Sequence, residues 1–323
     1  MNWITRWKKI GIKVKQIFKK QPMGQEETDW KNCPQCKKIS YKPDLHDNAY
    51  ICECSFHFDF PPKLRLKSLF DSEYETIDAT DNINPDPLNF VVKNGAREGY
   101  KYIDKIKKYK KVTGQETALL CASGNISNLS AVVVCFNPKF GAGRFGPAEN
   151  EHFLKAADFA IKKKVDIWVV VYQSSGIDVH TGITGLAGMT KSIIAMNEIK
   201  NAKIPTFAVA ARAVAGGTYA SSFFQHDFIL VESKSVENLL FSGKRVTANI
   251  LKGTDQIPDD FGTAQGVMKS GLADITLESR KELKGTISKL ANIILKKGNI
   301  ESRKLEEDHE NKEDFKKIGS TSS

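Results

Sequence analysis

The chain has 323 residues, 41% hydrophobic and 27% charged, with a net charge of +10. That length suits one large α/β domain plus a small module. No run of about 18 apolar residues offers a membrane span, and the first twenty residues lack the apolar core and small-residue cleavage site of a secretory signal, so a cytoplasmic protein is expected.

Residues 1–20 carry seven positive charges and no negative ones. Trp3, Trp7, Ile10, Val14 and Ile17 recur at helical spacing, predicting a basic amphipathic helix. Such a helix suits packing against self or partner, or contact with a membrane or nucleic acid. Residues 21–29 read as a polar linker.

Residues 30–60 form a cysteine module. Cys33-Pro34-Gln35-Cys36 is followed, after fifteen residues, by Cys52-Glu53-Cys54. Short cysteine pairs each supply two ligands to a tetrahedral zinc ion. The second pair is one residue shorter than usual, which leaves His57 as a substitute ligand. A ribbon that binds weakly, and a disulfide, are the alternatives. Cys121 and Cys135 lie in apolar runs and read as buried thiols.

Beyond the module, 64–70 reads as a short helix and 71–95 as turn-rich, with Asn84-Pro85-Asp86-Pro87 as a breaker. Residues 100–111 are helical and basic. Strands at 117–122, 129–136, 166–172, 205–210 and 227–232 alternate with helices at 151–164, 184–199, 246–251 and 283–296, with a helix start at 218–224. That alternation predicts an α/β core with a largely parallel sheet. The tail, 298–323, is charged, aromatic-poor and expected to be disordered. The division is thus 1–29, 30–60, 61–297 and 298–323.

Three glycine turns follow strands: Gly141-Ala142-Gly143-Arg144-Phe145-Gly146, Ser174-Ser175-Gly176, and Ala215-Gly216-Gly217-Thr218. Glycine lets a ligand approach main-chain N–H groups, and a helix N-terminus adds free donors for an anion or oxyanion. Each turn alone is ordinary strand-to-helix chemistry. None is a P-loop or a dinucleotide fingerprint. No nucleophile elbow surrounds Ser174 or Ser175, and His180 reads as a solvated loop residue.

The order of these parts resembles the β subunit of bacterial acetyl-CoA carboxylase carboxyltransferase. The likeness runs from MNWITR and Trp30-Lys31-Asn32-Cys33-Pro34 through the cysteine module, Tyr102-x-Asp104 and Thr113-Gly114. It continues through Phe136, Phe140, Gly143 and Gly146, the Ser174-x-Gly176 turn and Ala215-Gly216-Gly217. Asp227, Glu232, Gly243-Lys244-Arg245-Val246, Ile257-Pro258, Phe261, Gly271 and Asp274 complete it. The resemblance implies a crotonase-like spiral of ββα units behind a four-cysteine zinc ribbon (Cys33, Cys36, Cys52, Cys54). It implies carboxyl transfer from carboxybiotin to acetyl-CoA, giving malonyl-CoA for fatty-acid synthesis. The partners implied are an α subunit in an α₂β₂ assembly, a biotin carboxyl carrier protein and biotin carboxylase; the biotin sits on the carrier.

By the same resemblance, main-chain N–H groups of Ser175, Gly176, Gly216 and Gly217 are expected to stabilise enolates. Gly143, Arg144, Gly146, Arg212, Lys244 and Arg245 are candidate contacts for CoA and anions. Departures from the family pattern stand out. Its usual Ser-Gly-Gly-Ala-Arg-Met is here Ser174-Ser175-Gly176-Ile177-Asp178-Val179, and its Met-Gly-Gly-Ser-Met-Gly is 141–146. Asp-Pro-Thr is replaced by Arg212-Ala213-Val214. Ser175 keeps its donor cheaply only at negative φ. Arg144 and Arg212 are expected to take over anion binding. Impaired activity or altered acyl-CoA preference, and a nucleic-acid-binding role for the basic ribbon, are the alternatives. A stand-alone hydratase is disfavoured by the lack of paired glutamates near the turns.

Overall fold

The computed structural model describes residues 29–295, apart from 80, 95, 96, 237, 252, 254 and 255. The basic N-terminal segment and the charged tail lie outside the described residues.

The cysteine module opens with a small antiparallel pair, β1 (Trp30–Asn32) and β2 (Ile39–Tyr41), followed by the short helix α1 (Lys42–Asp47). Its own core is small: Cys33, Leu45, Cys52 and Phe58. Helix α2 (Pro62–Leu69) leads into the main domain, starting at a proline whose missing N–H costs nothing at a helix start.

The turn-rich stretch contains two strands that its composition hides, β3 (Glu75–Ile77) and β4 (Val91–Asn94). Strand β3 pairs with β6 (Leu119–Ile126), and β4 with β5 (Arg97–Lys101), so long-range pairing rather than local propensity makes both. Helix α3 (Tyr102–Thr113) then closes on Gly114 in the left-handed conformation.

The central sheet runs β14-β12-β11-β9-β7-β6-β3, with the two-residue β13 (Leu239–Leu240) also pairing with β11. Strands β7 (Leu129–Phe136), β9 (Ile167–Ser174), β11 (Thr206–Ala215), β12 (Phe228–Glu232) and the edge strand β14 (Ile275–Leu277) are parallel to one another. Parallel strands are covered on both faces, which is why β7 and β9 read as continuous apolar runs.

One face, with Val134, Trp168, Val170 and Tyr172, packs on α4 (Pro147–Lys163) and α5 (Gly182–Asn201) through Phe153, Ala157, Met196 and Ile199. The other, with Val133, Val169, Val171 and Phe207, packs on α2 and α9 (Leu283–Leu295) through Leu66, Leu69 and Ile287. Cys121 and Cys135 are buried on opposite faces, and burial pushes both thiols up, Cys135 to about 12. Short elements α6 (Gly216–Ala220), α7 (Lys244–Ile250) and α8 (Ala264–Lys269) decorate the carboxyl side of the sheet. Among the described residues, no helix is long and apolar enough to cross a membrane.

Candidate functional site

The carboxyl ends of β7, β9 and β11 bring the three glycine turns together. The node is Ser174, the last residue of β9. Its hydroxyl donates to the Gly143 carbonyl at 2.6 Å, lies 3.0 Å from the Thr218 hydroxyl, and accepts from the Gly176 N–H at 3.1 Å. One buried side chain thus touches all three turns. Sequence reasoning weighed Ser174 only as a nucleophile; nothing local reveals a residue whose role is to join distant segments.

Two glycines cannot be replaced here. Gly143 has φ +67°, and a Cβ on it would lie 1.9 Å from the Gln173 carbonyl. Gly176 has φ +108°, and a Cβ there would meet the Ala215 carbonyl at 2.6 Å. The second contact is where the Ser174 turn leans on the start of α6. Ser175 does not take up a positive φ, so the serine that replaces the family's glycine carries no backbone strain.

Of the four expected main-chain donors, three already have acceptors. Ser175 N–H donates to Ala142 O at 3.0 Å, Gly176 N–H to Ser174 Oγ, and Gly216 N–H to Phe241 O at 3.1 Å. Gly217 occupies the second position of α6, where a helical N–H has no intrahelical acceptor.

Arg144 is placed differently from expectation. Its side chain is 3% exposed and pairs with Asp178 at 3.0 Å and Glu149 at 3.4 Å. Its Nη2 is engaged inside the protein, and its Nε and Nη1 are buried with no hydrogen-bond partner among the described residues, so the guanidinium does not stand at the surface. Strand β8 (Arg144–Phe145) pairs in parallel with β10 (Gly176–Ile177), which brings Asp178 beside Arg144. Two departures from the family pattern are therefore partners of each other. Asp178 also accepts from the Tyr102 hydroxyl at 2.8 Å and from the His180 backbone N–H at 3.1 Å, and lies 2.9 Å from His180 Nδ1. The His180 ring stacks on Tyr102 with centroids 4.0 Å apart. His180 is thus a built part of the loop behind Gly176 rather than a free solvated residue. Burial opposes the charge on Arg144, but Glu149 and Asp178 outweigh it and raise its pKa.

The other candidates are dispersed. Gly146 caps α4, where its N–H donates to Glu149 Oε2 at 3.0 Å. Arg212 pairs with Asp59 of the cysteine module, across the seam between module and core. Lys244 and Arg245 begin α7, and their side chains lie outside the described residues.

The four cysteines converge. Their sulfurs all lie within 4.8 Å of one another, and the group can hold a metal ion. Cys33 and Cys54 are 3.6 Å apart and Cys36 and Cys52 are 3.7 Å apart, and all are free thiols rather than disulfides. The short pair reaches the site because the chain turns tightly after Cys52, with Ser55 N–H donating to Cys52 O at 2.8 Å and Ser55 at φ 66°. Burial would raise the Cys33 thiol, but the N–H groups of Cys36 and Gln35 outweigh it and lower it to about 7. His57 stands outside the group. Its Nδ1 lies 3.3 Å from Ser235 Oγ on the core side, and burial lowers its pKa to about 4.

The module is clamped to the core by charge. Glu232, fully buried on β12, pairs with Arg65 of α2 and lies 3.6 Å from Arg280. Arg280 donates to Phe58 O at 2.9 Å and Ala49 O at 3.3 Å within the module.

Comparison with known proteins agrees with this architecture. The carboxyl transferase domain family matches residues 102–318. The acetyl-coenzyme A carboxylase carboxyl transferase subunit beta of Pelagibacter ubique is 31% identical over 92% of this chain and 93% of its own. That of Agrobacterium fabrum is 28% identical over 92% and 95%. Among solved structures, transcarboxylase 12S superposes with a TM-score of 0.58 at 18% identity, over 77% of this chain but 42% of that one. A Pseudomonas malonate decarboxylase hetero-tetramer gives 0.54 at 16% identity, over 73% and 82%. At such identities the structures speak for the fold, which is the crotonase-like one. With the family model and a 31% identical relative spanning nearly its whole length, the chain belongs to the carboxyl transferase domain family.

Proposed function

We propose that this chain is the β subunit of an acetyl-CoA carboxylase carboxyltransferase, working with an α subunit to convert acetyl-CoA to malonyl-CoA. The observation that carries the reading is the convergence of three glycine turns on the Ser174 hydroxyl, at the carboxyl ends of the parallel strands. Biotin, on its carrier protein, would supply the carboxyl group and accept the proton of acetyl-CoA, so the site needs no dedicated general base. The chain's own task is to hold the thioester and stabilise the enolate oxygen. The Gly217 N–H at the start of α6 is the donor best placed for it, with the helix end adding positive potential. The Gly176 N–H joins when the thioester oxygen displaces Ser174 Oγ as its acceptor.

The metal at the four cysteines is zinc in this reading. Thiolates at about 2.3 Å from a tetrahedral ion sit about 3.8 Å apart, close to the 3.6 and 3.7 Å pairs observed. Its role is structural, since all four positions are filled by sulfur. Six free thiols fit a reducing, cytoplasmic setting.

The test is reconstitution. The chain, assembled with its α partner and given carboxybiotin and acetyl-CoA, yields malonyl-CoA, whereas the chain alone yields none. Absence of product from an assembled complex removes the proposal.

A further inference from the structure

One branched side chain backs the glycine turns. Ile177 ends β10, directly after Gly176, and packs against the core while part of it stays exposed. It stands where the family's usual pattern has alanine. A Cβ on Gly217 would collide with Ile177 Cγ1 and lie 3.1 Å from its Cδ1. Ile177 therefore rests on the backbone of the residue whose N–H is the free donor of the site. Met189 of α5 closes the same space, its Sδ also 3.1 Å from that Cβ position.

On its other side Ile177 meets the first turns of α5. A Cβ on Gly185 would lie 2.9 Å from Ile177 Cγ2, besides crowding Thr181 Oγ1 at 2.5 Å and the Asp178 carbonyl at 3.0 Å. Gly185 is interior to α5, where glycine costs about 1 kcal/mol relative to alanine. The helix thus gives up stability at a point that faces Ile177. A β-branched side chain is stiff at χ1, and with glycines on both flanks this one is seated rather than free to swing aside. The outcome is a fixed apolar wall at the Gly217 donor.

Resting on the function proposed above, we propose that Ile177 sets the length of acyl chain that the site accepts. With the thioester oxygen on the Gly217 N–H, ordinary bond lengths hold the acetyl methyl about 2.4 Å from that oxygen, and each further carbon adds about 1.5 Å of chain. The Ile177 side chain occupies the volume beside Gly217 into which that further carbon would extend. Acetyl fits, propionyl meets the wall, and Ile177 is a specificity-determining residue.

The experiment uses the assembled α–β enzyme as parent, Ile177→Val and Ile177→Ala. Two quantities are measured for acetyl-CoA and propionyl-CoA: kcat/KM with carboxybiotin, and calorimetric affinity. One methylene against an apolar wall discriminates by about 10–200-fold. The parent is expected to favour acetyl-CoA by at least about tenfold, and Ile177→Ala to lower that ratio by about tenfold. Ile177→Val lowers it by less. It removes a single methylene, so a folding failure of Ile177→Ala does not end the test. A side chain that only packs the core would reduce both thioesters together. An unchanged ratio in the folded variants therefore overturns the proposal, as does a parent that takes both thioesters equally. If the parent turns over neither thioester, the proposed function fails, while the two affinities still read the acyl space. There the same preference and the same narrowing are expected, and equal affinities overturn the inference.

Discussion

Two buried charge networks brace this protein, and they are opposite in balance. Beneath the cysteine module one carboxylate, Glu232, serves two guanidiniums, Arg65 and Arg280. Behind the Ser174 turn one guanidinium, Arg144, serves two carboxylates, Asp178 and Glu149. Each has an excess charge, and the surroundings answer its sign. The cationic excess is met by the carbonyls of Ala49 and Phe58 and by the face of Phe60, 4.9 and 5.1 Å from the two guanidiniums. The anionic excess is met by donors: the Tyr102 hydroxyl and the backbone N–H groups of Ala118, Gly146 and His180. A buried charge persists only where it is paired and hydrogen-bonded. The first network joins module to core; the second joins turn to turn.

Removing the metal tests the limits of the first network most severely. The module's own core is four residues, two of them from the group of four cysteines. Structural zinc contributes on the order of 10 kcal/mol, which a charge clamp cannot replace. Chelation is expected to abolish hydrogen-exchange protection in 30–60 while β7, β9 and β11 keep theirs. Collapse of both together would show that module and core fold as one unit.

Glu232→Gln comes next. It leaves two facing guanidiniums without their counter-ion, at a cost of about 3–5 kcal/mol in chemical denaturation. Burial alone would raise the Glu232 carboxyl, but Arg65 and Arg280 outweigh it and hold it below its ordinary value. The wild-type clamp therefore stabilises above the unfolded carboxylate range and is lost as pH falls through the lower folded value. A stability curve that keeps its acid limb after Glu232→Gln would mean the clamp contributes nothing to it.

Arg144→Met strands two carboxylates and is expected to cost about 3 kcal/mol. Adding Asp178→Asn should return at least 1 kcal/mol of that, by roughly the coupling usual for contacting pairs. Strict additivity in this cycle would mean that the two departures are unrelated. The single variant should also lower kcat, because the pair fixes β8 against β10 behind Gly176.

Two buried histidines set a milder pH dependence. Burial lowers His57 and His226 to about 4 from 6.5. Below the unfolded value the unfolded chain binds protons that the folded chain refuses. Stability therefore falls as pH drops from 6.5 toward 4, by on the order of 2–3 kcal/mol for each group. His57→Gln should flatten part of this slope, and an unchanged slope would remove His57 from it. The smallest effect is Ser175→Gly. With no positive φ to relieve, it should destabilise by about 0.5–1 kcal/mol through unfolded-chain entropy; a gain in stability would mean that Ser175 is strained after all.

Most of the sheet was legible, because buried parallel strands are apolar throughout. Residues 129–136 were read with the ends that β7 has, and DIWVVVY within a few residues of those of β9. Strands β3 and β4 were not, since they are strands only by pairing with β6 and β5. The convergent cysteines were legible because cysteine spacing is local; His57 stands apart because three residues of separation cannot tell which way a ring points. The glycine turns were each legible, but not their meeting at Ser174.

Patterns local to the chain, or in collinear order along it, encode the long core strands and helices, the cysteine set and the family. Folding alone brings Arg144 to Asp178 and Arg212 to Asp59, and sets one serine hydroxyl among three turns. Apart from Gly176, two residues from Ser174, those contacts span 31 to 153 positions, and no local pattern encodes a distance in space.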